Sequence, residues 1–157
     1  RIIASLQEQI ARLEAENAAL EAETGFEKMY ITVVGGGNST AIFATLALSA
    51  GHDVAVLTRR PKDWSEEIGF VNDDKGWLDI DGMTARPTLI TSDYAECIPK
   101  SDAIFIAGIP IHHNPTILQQ IKPHLDASKR VFIGSVCAYG GFNWVAQRNL
   151  GDANYAL

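Results

Sequence analysis

Residues 30–40 read "YITVVGGGNST", and this stretch decides the fold. Tyr30-Ile31-Thr32-Val33-Val34 is a short β-rich run, and the glycines that follow open a segment, "STAIFATLALSAG", of helical length with a stop signal at Gly51. A second apolar run, "DVAVL" at 53–57, completes a βαβ unit, whose crossover implies a parallel sheet. Gly35, Gly37 and Thr40 stand where a G-x-G-x-x-G/A turn would place its three small residues. Two positions fit, and the third carries a threonine.

The setting gives this turn its meaning. Gly35 permits a tight turn, and Gly37, beside Gly36, allows the backbone to approach a pyrophosphate. The free amides of Asn38, Ser39 and Thr40 lie at the positive end of the helix, where phosphate oxygens bind. Thr40 replaces the small residue that normally lets helix and strand pack closely. It is expected to widen that approach slightly or to shift the contact to Ala41.

The next strand ends in "VLTRRPKDW", about twenty residues beyond the glycines. An NAD site usually carries Asp or Glu there for the ribose 2′-hydroxyl; this chain has Thr58, Arg59 and Arg60. Guanidinium groups grip a 2′-phosphate bidentately, so the expected cofactor is NADP(H), with NAD(H) the second choice.

Further along, "TLIT" (88–91), "DAIFIAG" (102–108) and "RVFIGSV" (130–136) read as buried strands, and "NPTILQQIKPHL" (114–125) as the helix between the last two. "FVNDDKGWLDIDG" (70–82) has the pattern of a hairpin. The resulting expectation is a doubly wound, Rossmann-type α/β sheet in three layers, with a small β excursion. Ligands lie at the carboxyl edge of such sheets. "IAGIPIHHNP" (106–115) reaches that edge, so Gly108, Ile109 and Pro110 are placed toward the nicotinamide, with His112 and His113 as contacts for a ribose or a substrate acid. After the last strand, Ser135, Gly140 and Gly141 lead into a helix near Phe142 and close the cleft from the other side.

Ahead of this chain lies a segment of different character. Ile3, Leu6, Ile10, Leu13, Asn17 and Leu20 alternate steps of three and four, a heptad with Ile3, Ile10 and Asn17 at a and the leucines at d. Glu14, Glu16, Glu21 and Glu23 flank the seam, so Glu16 would face Glu21 in a parallel homodimer, whereas a more basic helix would attract them. The segment resembles the acidic strand of a leucine zipper. Residues 1–24 are therefore expected to form a coiled-coil helix, pairing with itself or with a basic strand, and residues 25–157 to form the nucleotide-binding domain. At about three heptads, a homodimer through it alone would be weak.

Composition narrows the class. The chain has 157 residues, 46% of them hydrophobic and 20% charged, with a net charge of −6, of which residues 1–23 carry about half. That supports a soluble globular domain with a core and gives a nucleic-acid or anionic-membrane surface no electrostatic support. No apolar run approaches the roughly 18 residues that cross a bilayer. Cys97 and Cys137 are isolated, without C-x-x-C or histidine spacing for a metal, and are expected to be buried, reduced thiols in a cytoplasmic protein. The chain begins at Arg1 and ends in "GDANYAL" with no evident terminal element, which suggests a fragment of a longer protein.

Residues 29–157 resemble the cofactor-binding half of the octopine/nopaline (opine) dehydrogenase family. The likeness rests on "VVGGGNSTA", "AGIPIHHNPTILQQIKPHL" and "AYGGFNWVAQRNLG", in that order and at fitting intervals. Similar loops occur in glycerol-3-phosphate dehydrogenase and ketopantoate reductase. The resemblance implies NAD(P)H-dependent reductive condensation of an amino acid with a 2-keto acid. It also implies that the catalytic His and its acidic partner belong to a following helical domain, so the present chain is expected to bind cofactor, to carry no catalytic residue and to turn nothing over. The rival expectation is an assembly module whose α/β domain is non-catalytic cargo of the heptad segment.

Overall fold

A computed structural model of the chain describes residues 6–13, 15, 16, 19, 27–69, 82–138 and 140–157. The apolar runs become parallel strands because helices cover most of both faces of the sheet, and buried parallel strands read as nearly continuous apolar stretches; Phe132 in the run at 130–136 is the exposed exception among its large apolar side chains. In chain order these are β1 (Tyr30–Val34), β2 (Asp53–Leu57), β5 (Leu89–Thr91), β6 (Ala103–Ala107), β7 (Val131–Val136) and β8 (Tyr155–Ala156). They form one sheet in the order β5-β2-β1-β6-β7-β8, every neighbouring pair parallel. β3 (Ile68–Gly69) and β4 (Thr84–Ala85) pair antiparallel in a separate two-stranded sheet. They flank the expected excursion, whose residues 70–81 lie outside those described.

Helices cover both faces. α1 (Asn38–Ser49) buries Thr40, Ala44, Thr45 and Ala47, side chains small enough to let the helix lie close on β1 and β2. Gly51, at φ +91°, ends it, and its amide donates to the Leu48 carbonyl at 2.9 Å. Ala44, Ala47, Ile31, Val33, Val54 and Val56 make the core on that face. On the other face Ala55, Leu57, Ile104, Ile106, Val131 and Ile133 pack with α3 (Asn114–Ile121) and α4 (Phe142–Leu150), through Ile117, Leu118, Ile121, Phe142, Ala146 and Leu150. Side-chain alternation along each strand divides the two cores, so adjacent residues Val54 and Ala55 belong to opposite layers.

The sheet is the doubly wound one expected, with additions that short local signals concealed. α2 (Tyr94–Cys97) is a single turn whose start is capped by Asp93, which accepts from the Ala95 amide. The terminal "GDANYAL" does hold an element: Tyr155 and Ala156 pair with Val131 and Phe132 as the sixth strand. Two residues carry no periodicity of their own, and only the waiting edge of β7 makes them a strand. Cys97 is buried as expected, but Cys137 is exposed, because it stands just past β7 in a turn. In the heptad segment residues 6–13 are helical, with Leu6, Ile10 and Leu13 exposed. Ile3, Glu14, Asn17, Leu20, Glu21 and Glu23 fall outside the described residues, so their part of the expected coiled coil does too.

Candidate functional site

Strand order reverses between β1 and β6: the chain leaves β1 toward β2 and β5, then crosses back to lay β6 on the other side of β1. At such a reversal the loops leaving the two strands part and open a crevice at the carboxyl edge. Residues 35–37 leave β1 there, residues 108–110 leave β6, and Thr58, Arg59 and Arg60 leave β2.

Each glycine of the first loop has a separate reason. The Gly35 amide donates to the Leu57 carbonyl at 3.0 Å, which ties the turn to the end of β2. A side chain on Gly35 would fall 2.1 Å from Thr40 Oγ1 and 2.3 Å from the Ala107 carbonyl oxygen. A side chain on Gly36 would press on Thr58 Oγ1 at 3.1 Å, whereas one on Gly37 would meet nothing within 4 Å. Gly37 therefore borders open space, the position at which a bulky ligand can come close to the backbone. It caps α1 in extended conformation, no side chain caps the helix, and no acidic residue lies in its first turn. Gly36, Gly37, Asn38 and Ser39 are exposed, so this positive helix end faces outward, an orientation that suits an anion.

Thr40 is placed differently from its neighbours. Its side chain is fully buried, its hydroxyl donates to the Ala107 carbonyl at 2.9 Å, and its amide donates to Gly37 O at 3.0 Å. Of the residues assigned to the pyrophosphate it alone stands behind the loop instead of in it. The room it needs is the room Gly35 leaves, which accommodates the departure from the small-residue pattern.

At the end of β2, Thr58 is buried and its amide donates to the Thr91 carbonyl at 2.8 Å, holding the turn against β5. Arg59 and Arg60 follow, both exposed. The Arg60 guanidinium pairs with Asp63 at 3.4 Å in the turn Pro61–Asp63. Arg59 lies near Tyr94: burial, with a smaller contribution from Cys97, raises that phenol above its ordinary pKa, and the Arg59 charge opposes the rise.

Across the crevice, Gly108 has φ +67°, a left-handed conformation that favours glycine, and its missing side chain would lie 3.2 Å from Ser39 Cβ. The two loops thus meet at Ser39 and Gly108. Ile109 is half-buried against the helix-covered core, and the Pro110 carbonyl accepts from the His113 amide at 3.0 Å in the turn Ile111–His113. His112 and His113 are exposed with ring centroids 4.1 Å apart. Asn114, which opens α3, is buried, and its Oδ1 has no hydrogen-bond partner among the described residues. Ser135 lies inside β7, opposite Ile106, one residue short of the strand end, so Cys137 and not Ser135 begins the final loop. Cys137 has φ +64°, and Gly140 and Gly141, the two residues just before α4, have φ +84° and +75°. Asn114 does not stand out in the sequence, since a lone amide carries no spacing signal, and Cys137 reads there only as a buried thiol.

Residues 30–138 match the family described as NADP oxidoreductase, coenzyme F420-dependent. The chain is 30% identical over 127 residues to the uncharacterized protein y4xO of Sinorhizobium fredii, covering 78% of this chain and 32% of that protein. Among solved structures it is similar to GDP-mannose dehydrogenase from Pseudomonas aeruginosa, with TM-score 0.56, 17% identity and coverage of 80% of this chain and 34% of that one. It is similar also to glycerol-3-phosphate dehydrogenase from Coxiella burnetii, with TM-score 0.52, 20% identity and coverage of 80% and 38%. The chain thus spans about a third of the length of these relatives.

Proposed function

The chain belongs to the NADP oxidoreductase, coenzyme F420-dependent family, and we propose that it is the part of such an oxidoreductase that seats NADP(H) across the β1/β6 crevice. The observation that carries this reading is the outward-facing, uncapped start of α1 beside the open space at Gly37. The pyrophosphate lies over residues 35–39, and the exposed Arg59 and Arg60 take the adenosine 2′-phosphate. Gly108, Ile109 and Pro110 border the nicotinamide, with Ser135 behind them in β7. When bound, the cofactor supplies hydride. The chain's own residues bind its phosphates and orient it along the edge of the sheet.

For the whole protein we propose the opine-dehydrogenase reaction, reduction of the imine formed by an amino acid and a 2-keto acid, on the strength of the three loop sequences. A glycerol-3-phosphate dehydrogenase- or ketopantoate reductase-like activity is the alternative, and we place either in the cytoplasm. Titration with NADPH and NADH, following tryptophan fluorescence and melting temperature, tests the cofactor reading. We expect saturable stabilisation by NADPH and a weaker response to NADH; no shift with either nucleotide would remove it.

A second reading has its own observation, the exposed stripe of Leu6, Ile10 and Leu13 on helical residues 6–13. Through it the leading segment pairs with a like or more basic helix. Sedimentation of the chain with and without residues 1–23 decides this: an unchanged mass would rule it out.

A further inference from the structure

We infer that Thr40 is the positioning residue that holds the pyrophosphate loop and the nicotinamide loop in fixed relation, through the hydrogen bond from its hydroxyl to the carbonyl of Ala107. The inference rests on the reading of the crevice as a dinucleotide site. The ladder between β1 and β6 ends at the pair Val34 and Ile106, directly before the first loop and one residue before the second. Beyond that point the ladder no longer joins the two segments, and the Thr40 bond, with the contact of Gly108 on Ser39, continues the connection. It links residues 67 apart in sequence and is fully buried, at 2.9 Å. A buried bond of this kind is not weakened by competing water.

The fit around it is matched on both sides. Thr40 Oγ1 and the Ala107 carbonyl oxygen both lie in the space that a Gly35 side chain would enter, 2.1 and 2.3 Å from its position. Glycine at 35 and threonine at 40 therefore form a pair: the first leaves a vacancy and the second fills it with a donor. Directly after Ala107 comes Gly108, whose backbone rests over Ser39. A shift of Ala107 would carry Gly108, Ile109 and Pro110 away from residues 35–39. The adenosine end of the cofactor, held by residues after β2 and by the start of α1, would feel that shift least.

The test compares two ligands on the intact chain: NADPH, which spans both loops, and adenosine 2′,5′-bisphosphate, which lacks the nicotinamide half. Thr40→Val keeps the shape and removes the donor, leaving the Ala107 carbonyl buried and unpaired. Thr40→Ser keeps the donor. We expect Thr40→Val to weaken NADPH about tenfold and the bisphosphate by less than about threefold. Thr40→Ser should stay within about threefold of the parent for both. The fluorescence enhancement of bound NADPH should fall in the valine variant and recover in the serine variant. Thr40→Ala, melted alongside, repeats the comparison should valine fail to fold. Equal losses for the two ligands without rescue by serine, or parental NADPH affinity in a folded valine variant, would overturn the positioning role and leave the cofactor reading intact. A parent chain that binds neither ligand overturns both.

Discussion

The two edges of the sheet are built from opposite materials. At the amino edge, charged side chains stitch the strands to one another. Asp102 accepts from the Tyr30 amide at 2.7 Å with one carboxylate oxygen and from Lys129 Nζ at 2.8 Å with the other, and Lys129 also donates to the Lys100 carbonyl. Lys28 pairs with Asp53 at 3.0 Å, and the Met29 amide donates to His52 Nδ1 at 3.3 Å. At the carboxyl edge the ties are main-chain bonds, Gly35 to Leu57 and Thr58 to Thr91, with the Thr40 hydroxyl as a buried side-chain contribution. Glycines there leave space and amides facing out. The difference teaches that one edge is arranged for stability and the other for a ligand, and substitutions should separate the two.

Gly35→Ala should do the most damage, because the added carbon meets a backbone oxygen that cannot swing aside. We expect a loss of roughly 3 kcal/mol or more of stability together with NADPH binding, read by melting and titration. An alanine variant that melts and binds like the parent would contradict the account of the loop.

The double change Arg59→Ala and Arg60→Ala probes the same edge without touching its packing, since both side chains are exposed. NADPH affinity should fall about tenfold or more while NADH affinity and the melting temperature hardly change. Equal loss for the two nucleotides would place the 2′-phosphate elsewhere.

At the opposite edge, Asp102→Asn should lower stability by about 1 kcal/mol and leave nucleotide affinity unchanged. Burial pushes the Asp102 carboxyl up, but the hydrogen bonds from Lys129 and the Tyr30 amide, with the Lys129 charge, outweigh it and hold it below its ordinary value. A carboxyl lowered on folding stabilises the protein above its unfolded pKa, near 4, and the contribution disappears as pH falls through that value toward the lower folded one. The parent should therefore lose stability faster than the asparagine variant below about pH 4. Parallel curves would refute the contribution.

The smallest effect concerns the thiols. Cys137, exposed at the carboxyl edge, should react quickly with a water-soluble disulfide reagent; Cys97 should react only on unfolding. Burial foremost raises the Cys97 thiol above its ordinary pKa, which keeps it protonated and inert. Release of both thiols from the native chain would show that the cores do not close as described.

Much of this was legible locally. The run at 30–34 and the run at 53–57 coincide with β1 and β2, and the glycine loop between strand and helix lies at the reversal of strand order, where its pattern places it. Buried parallel strands announce themselves because they are apolar throughout, and Gly51 ends α1 because a left-handed residue is needed there. β8 escaped notice for the converse reason: with two residues and no pattern, it exists through the edge of β7.

Sequence by itself determined the alternation of the main strands and helices, the position of the glycine turn and the arginines at the end of the second strand, since these depend on neighbours within a few residues. Thr40 shows what it left open. As a letter in a spacing it was a misfit, because nothing between 35 and 40 reveals that Ala107 presents a carbonyl there. Only the tertiary structure, by laying β6 beside β1, brought that acceptor to the threonine and made a departure from the pattern into the bond that joins the two loops.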